Sequence, residues 1–293
     1  MGGFFDRMSR SWEFAKISYS ILWDFKSLLI FPIISGIAAV LVIASFVLPL
    51  WGTGTLEHWL AMTSGESAEQ ASQADQITMW VTLFAFYFCN YFVIVFFNCG
   101  LTACAMKVVH GEAPTVGYGL NAAMKRIGPI AAWAFVSALI GVLLRAIENA
   151  NEKAGRFIAG LLGAAWTALT YFVIPVLVME NLGPIDAFKR SVGVLKKTWG
   201  EAVMGNFSLG FLGFLVMLPV ILVLVVLGFM AAGNPAMLTI VITIGVVLVV
   251  LVTAANSAAD VIFKALLYNY ATDQPLPDFV DTDSFDRAFA PKE

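Results

Sequence analysis

Between Ala202 and Ala259 the chain carries no Asp, Glu, Lys or Arg. A helix crosses the hydrocarbon core of a bilayer in about 20 residues, so this run is too long for one crossing and too apolar for water. It has to fold back on itself. Gly233-Asn234-Pro235 supplies the turn, because Pro cannot continue a helix. Four more charge-free runs lie upstream, at 27–56, 76–106, 127–144 and 157–179. A charge at mid-bilayer costs roughly 2.5–3.5 kcal/mol, which makes such runs the mark of spans. The sequence therefore predicts an all-α, polytopic helical membrane protein with six transmembrane helices, at about 27–51, 77–106, 127–146, 157–179, 202–231 and 236–268, in a single domain over 1–270. The second and sixth runs exceed a bilayer's thickness, and their inner ends are expected to project as helix. Pro175 and Pro219 fall inside spans four and five, where each removes a backbone hydrogen bond and is expected to kink its helix.

Composition points the same way: 60% of residues are hydrophobic, 13% are charged and the mean hydropathy is +0.85. A soluble domain is closer to a quarter charged. The net charge of −3 offers nothing to nucleic acid. Cys89, Cys99 and Cys104 fall in one apolar stretch, which argues against a disulfide framework. The two histidines, His58 and His110, are far apart, and no zinc spacing occurs. No metal and no cofactor is expected. The first apolar run is long enough to span and stay, so no cleaved leader is expected.

Basic residues orient the spans. With the amino terminus inside, every Lys and Arg except Arg145, Lys153 and Arg156 falls on the inner side, while loop 52–76 carries Glu57, Glu66, Glu69 and Asp75 and no Lys or Arg. Cytoplasmic loops are enriched in Lys and Arg. The expectation is a multi-pass protein of the cytoplasmic (inner) membrane with both termini cytoplasmic. Residues 271–293, with Asp273, Asp278, Asp281, Asp283 and Asp286, form an acidic cytoplasmic tail.

Ahead of the first span, Phe4, Met8, Trp12, Ala15, Tyr19 and Leu22 recur every three or four residues and form one face of a helix over 4–24. Asp6, Arg10, Glu13, Lys16 and Asp24 lie opposite. Such a helix can lie in the membrane interface with its aromatics at headgroup depth. It can equally pack on the protein's own inner face. A shift of 180 residues brings Arg10-Ser11 onto Arg190-Ser191 and Lys16 onto Lys196; Tyr19 then meets Trp199. A weaker echo occupies about 114–126, and "HGEAP", "NLGP" and "TDQP" precede or follow these helices with Pro at a helix start or stop. These amphipathic interfacial helices, at 4–24, about 114–126 and about 184–199, suggest a pseudo-repeat of one surface helix plus two spans. Trp12, Tyr19, Trp199, Arg10, Lys16, Arg190 and Lys196 are the expected interfacial anchors.

The segments "FFDRMSRSWEFAKISYSILW" leading into "FPIISG", "AFKRSVGVLKKTWGE" and "ALLYNYAT" resemble an uncharacterised bacterial family of six-span integral membrane proteins. More distantly, the layout is similar to the membrane domain of glycerophosphodiester phosphodiesterases. The resemblance implies a helical membrane domain and no agreed activity. No soluble module is expected beside the spans, so the phosphodiesterase chemistry is not implied.

Two constellations stand out. In span two, Tyr87, Asn90, Tyr91 and Asn98 make a polar stripe beside a second stripe of Phe84, Phe88, Phe92 and Phe96. A mid-span Asn has to face protein or a cavity. The polar stripe can line a path, or, the reading these residues favour, it can bond neighbouring helices at roughly 0.6–2 kcal/mol per contact. At the inner ends of spans two and six, Lys107, Asn256, Asp260 and Lys264 form a candidate cytoplasmic mouth, or a plain i,i+4 pair at Asp260 and Lys264. No nucleophile motif and no paired intramembrane carboxylate is present, so catalytic residues are not assigned. The favoured reading is a non-enzymatic membrane scaffold or homo-oligomer subunit that binds membrane lipids or a partner membrane protein, with no role for nucleic acid. The alternative is a channel or transporter for a small solute, lined by span two.

Overall fold

A computed structural model describes residues 16–64, 72–150, 153–231 and 233–274, without the side chains of 62–64 and 199–208. The described residues are helical, with no strand among them. We number the helices α1 (16–24), α2 (Ile30–Gly52), α3 (Thr55–Ser64), α4 (Gln73–Val109), α5 (Val116–Met124), α6 (Ile127–Ala150), α7 (Ala154–Leu169), α8 (Val173–Met179), α9 (Pro184–Ala231) and α10 (Pro235–Ala271); a 3-10 turn, Lys26–Leu29, joins α1 to α2. Six segments are long and apolar enough to cross a membrane: Lys26–Gly52, Gln73–Val109, Ile127–Ala150, Ala154–Met179, Leu209–Ala231 and Pro235–Ala271. This is a multi-pass, all-α membrane protein, and the charge-free runs mark its spans.

The chain divides into two compact units, Met1–Ile33 with Asn98–Ala122 and Val192–Glu293, and Ile34–Phe97 with Ala123–Ser191. In the first unit, α1 turns Ile21 and Leu22 into the protein and leaves Trp23 75% exposed, with the Lys26 ammonium 5.2 Å from its ring centroid. Phe31 is buried against two glycines. A Cβ on Gly119 would stand 2.6 Å from the Gly100 carbonyl oxygen and 2.7 Å from Cys104 Sγ, and one on Gly100 would stand 2.7 Å from Phe31 Cε1. Only residues without side chains let α4 and α5 meet this closely. The turn between α9 and α10 falls where Gly233-Asn234-Pro235 predicts it. The Asn234 side chain accepts from the N–H groups of Ala236 and Met237, and Pro235 opens α10, a sound N-terminal cap.

In the second unit, α6 and α7 pack as an antiparallel pair. Gly155 lies so near the carbonyls of Ile147 and Glu148 that a Cβ would be 2.9 Å from Glu148 O. Trp133, Trp166 and Phe188 stack in series, with centroids 5.6 Å apart at each step. The Phe stripe of α4 stacks along its own helix at 6.5, 6.3 and 6.1 Å, and Phe84 meets the edge of Phe135 on α6.

Four features differ from the sequence reading. Loop 52–76 contains α3. Span four is two helices, broken at Thr170–Phe172 rather than kinked at Pro175; Pro175 sits in the first turn of α8, where its missing N–H costs no hydrogen bond. The break is held by buried Ser191, whose hydroxyl accepts from Phe172 N–H at 3.0 Å and donates to the Leu169 carbonyl at 2.8 Å. Third, no loop separates the surface helix at 184–199 from span five: α9 is two helices that meet at a kink at Thr198 (φ −120°, ψ 22°), where the surface helix ends. Fourth, Pro219 in α9 leaves helical dihedrals around it.

Spans two, four and six end alike. Two residues past the ends of α4, α8 and α10 stand Gly111 (φ 76°), Asn181 (φ 51°) and Asp273 (φ 57°). Left-handed residues there are a common helix terminator. At α4 the bonds are Gly111 N–H to Val108 O (2.9 Å) and Glu112 N–H to Lys107 O (3.1 Å); at α10 they are Asp273 N–H to Tyr270 O (3.2 Å) and Gln274 N–H to Asn269 O (2.9 Å). The same Schellman closure ends both helices.

Candidate functional site

In the first unit the charged ends of α4 and α10 are each satisfied locally. Lys107 reaches Glu112 at 3.2 Å and lies 4.7 Å from the Tyr118 ring centroid. Lys264 pairs with Asp260 at 2.6 Å, one helical turn away. No ion pair between Lys107 and Asp260 is formed. Asn256 is joined to α1 instead: the Tyr19 hydroxyl donates to its side-chain oxygen. Gly213 makes room for this amide, since a Cβ there would be 2.6 Å from Asn256 Nδ2. Burial pushes the Tyr19 phenol above its ordinary pKa, which keeps it a neutral donor. Tyr19 thus holds α1 to α10. Lys16 and Lys196 are exposed, and Arg190 pairs with Glu180 at 2.6 Å. Arg10 and Trp12 lie outside the described residues, as does the side chain of Trp199.

The polar stripe of α4 separates. Asn90 donates to the Phe86 carbonyl of its own helix at 2.9 Å. Asn98, half-buried, belongs to the first unit. Tyr87 and Tyr91 line a cavity of about 370 Å³ in the second unit, where α4 faces the end of α6 and the start of α7. Gly141 forms its floor; a Cβ there would lie 3.2 Å from Tyr87 Cδ2 and 3.5 Å from Tyr91 Cε2. Arg145, Glu148 and Arg156 supply its charge. Arg145 Nη1 donates to Glu148 Oε2 at 2.8 Å. A guanidinium has five N–H donors, and this is the one Arg145 bond among the described residues. Among the described residues Arg156 has no ion pair and neither tyrosine hydroxyl has a hydrogen bond.

A second cavity, of about 260 Å³, lies in the same unit, and its wall is almost entirely carbon. Phe46 and Leu50 of α2, Trp59 of α3, and Trp80, Leu83 and Phe86 of α4 form most of it. Arg145 lines this cavity too. Arg145 therefore borders both an apolar and a charged chamber. Sequence reading used Arg145 and Arg156 only to orient the chain. Their spacing of eleven residues across a helix turn gave no local signal that they share a cavity.

A model described as "Family of unknown function (DUF6159)" matches residues 77–276. The chain belongs to that family. No curated protein matches it. The DUF6159 match takes in the whole lining of the charged cavity and the Lys107 and Asp260 ends of α4 and α10, whereas Phe46 and Trp59 of the apolar cavity lie before it. The family description names no activity, and the match brings no link to glycerophosphodiester phosphodiesterases.

Proposed function

We propose that the chain is a non-enzymatic scaffold of a bacterial inner membrane, a subunit that holds lipid and associates with copies of itself or with a partner membrane protein. The observation that carries this reading is the α9–α10 hairpin. Over 209–253 the buried residues described are Leu209, Gly213, Ala231 and Gly245. Large apolar side chains cover the rest of its surface, Phe214, Leu222, Phe229, Met230 and Ile240 among them, with Phe229 80% exposed. A helix apolar on all sides needs lipid or protein around it. The Lys and Arg bias supports cytoplasmic termini. The common left-handed endings after spans two, four and six support the three-unit repeat, as do the buried hydroxyls of Ser18 and Thr198, 180 residues apart. Subunit counting by single-molecule photobleaching in lipid nanodiscs tests the reading. More than one copy per particle is expected at low protein-to-lipid ratio, and a monomer at every ratio would end it.

A small-solute path is the second reading, favoured by the charged cavity that Tyr87 and Tyr91 face. Flux into proteoliposomes that Asn90→Leu, Asn98→Leu and Tyr91→Leu all leave unchanged would count decisively against it.

A further inference from the structure

We propose that the two cavities joined by Arg145 are one binding site for an anionic phospholipid, with the phosphate at Arg145 and Arg156 and an acyl chain in the aromatic chamber. The inference deepens the lipid-holding part of the scaffold reading with a headgroup class and a place; it rests on the second unit and not on the α9–α10 hairpin, so loss of lipid retention and loss of self-association are separate outcomes.

The argument starts from charge. Arg145, Arg156 and Glu148 leave one net positive charge in the larger cavity, and the Arg145–Glu148 bond engages a single Nη1. A phosphate oxygen can take the remaining donors of the fork, the geometry guanidinium favours. The Tyr87 and Tyr91 hydroxyls add two more groups able to donate. Net attraction for a zwitterionic headgroup is weaker, since its ammonium would meet the same arginines. Shape then supplies the second half. The smaller cavity offers Phe46, Leu50, Trp59, Leu83 and Phe86 to a hydrocarbon chain and only Arg145 and Asn149 at its polar edge. A free phosphate or carboxylate would leave that chamber unused, and a neutral alkane would leave the Arg156 guanidinium without a counter-charge among the described residues. An amphiphile with an anionic head satisfies both. The charged cavity is lined by the last turns of α6 and the first turns of α7, and the apolar cavity reaches the same end of α6 through Arg145 and Asn149. Tyr and Trp concentrate at membrane–water interfaces, so a headgroup at this depth is in register with the bilayer around it.

Native mass spectrometry of the full chain, released from phosphatidylcholine nanodiscs containing a minor fraction of phosphatidylglycerol, tests this. The wild type is expected to retain one phosphatidylglycerol. Arg145→Gln and Arg156→Gln should each weaken retention about tenfold or more, the loss expected when a charged hydrogen bond goes. Leu83→Trp, which fills the chain chamber and leaves both arginines, should also lower retention. Lys153→Gln, a cation that lines neither cavity, should not. If Arg145→Gln fails to fold, Arg156→Gln and Leu83→Trp still decide the matter. Equal retention of phosphatidylcholine, unchanged retention in Arg156→Gln and Leu83→Trp, or displacement by inorganic phosphate at the concentration that displaces it from the Leu83→Trp variant would each overturn the assignment.

Discussion

Ser191→Ala removes the hydroxyl that holds the break in span four. The oxygen is fully buried and makes two bonds, from Phe172 N–H at 3.0 Å and to the Leu169 carbonyl at 2.8 Å. A typical internal hydrogen bond contributes roughly 0.5–1.5 kcal/mol net, so the pair is worth about 1–3 kcal/mol. Alanine recovers on the order of 0.5 kcal/mol, because it is the better helix former and Ser191 lies in α9. The balance is a loss of about 1.5 kcal/mol. For a domain of this size that lowers the melting midpoint by roughly 3–6 °C. Thermal melts in one fixed detergent read the shift, and amide exchange at Phe172 reads the local effect. Ser45→Ala serves as the reference, since the exposed Ser45 hydroxyl bonds only Val42 O of its own helix, at 2.8 Å; its midpoint should move by less than about 0.5 kcal/mol in equivalent stability. Equal midpoints for the two variants, with Phe172 exchange unchanged, would refute the view that α9 holds this break together.

Gly119→Ala should destabilise by roughly 1–3 kcal/mol through overpacking against the Gly100 carbonyl and Cys104; Phe31→Leu in the same chain should return part of the loss in the same melt. Tyr19→Phe should cost about 1 kcal/mol by breaking the bond to Asn256 and should raise protease sensitivity ahead of the first span. Arg190→Ala should cost under about 1 kcal/mol despite the short Glu180 contact, because the Arg190 side chain is exposed and Glu180 is only partly buried; a melt lowered by more than 10 °C would contradict this. Asn181→Gly should stabilise by a few tenths to about 1 kcal/mol, since glycine takes the left-handed conformation without a Cβ penalty.

The spans were legible because membrane insertion is decided locally. A charge-free run of sufficient length is enough, and Asn234-Pro235 announces its turn by backbone chemistry alone. The break at Thr170–Phe172 was half legible: Pro175 signalled it, but its position depends on Ser191, which approaches from another helix. Tyr19 illustrates the same limit. Its place on an apolar face was readable, whereas its partner Asn256 is on α10 and no periodicity points to it. Of the candidate polar stripe, helical spacing puts Tyr87 and Tyr91 on one face, and both line the charged cavity. It could not tell that the Asn90 amide would turn back to the Phe86 carbonyl. Arg145 and Arg156 were visible as charges, but the cavity they share exists only once α6 and α7 fold against each other.

The endings of α4, α8 and α10 bear on how ancestry is recorded in such a chain. Gly111, Asn181 and Asp273 are three different residues in one backbone state, each two positions beyond its helix. Gly, Asn and Asp are the residues that reach that state most readily. If one segment gave rise to three, drift among these residues would erase letter identity while leaving the dihedral angle intact. Kinship between the segments is then better sought in φ than in the alphabet.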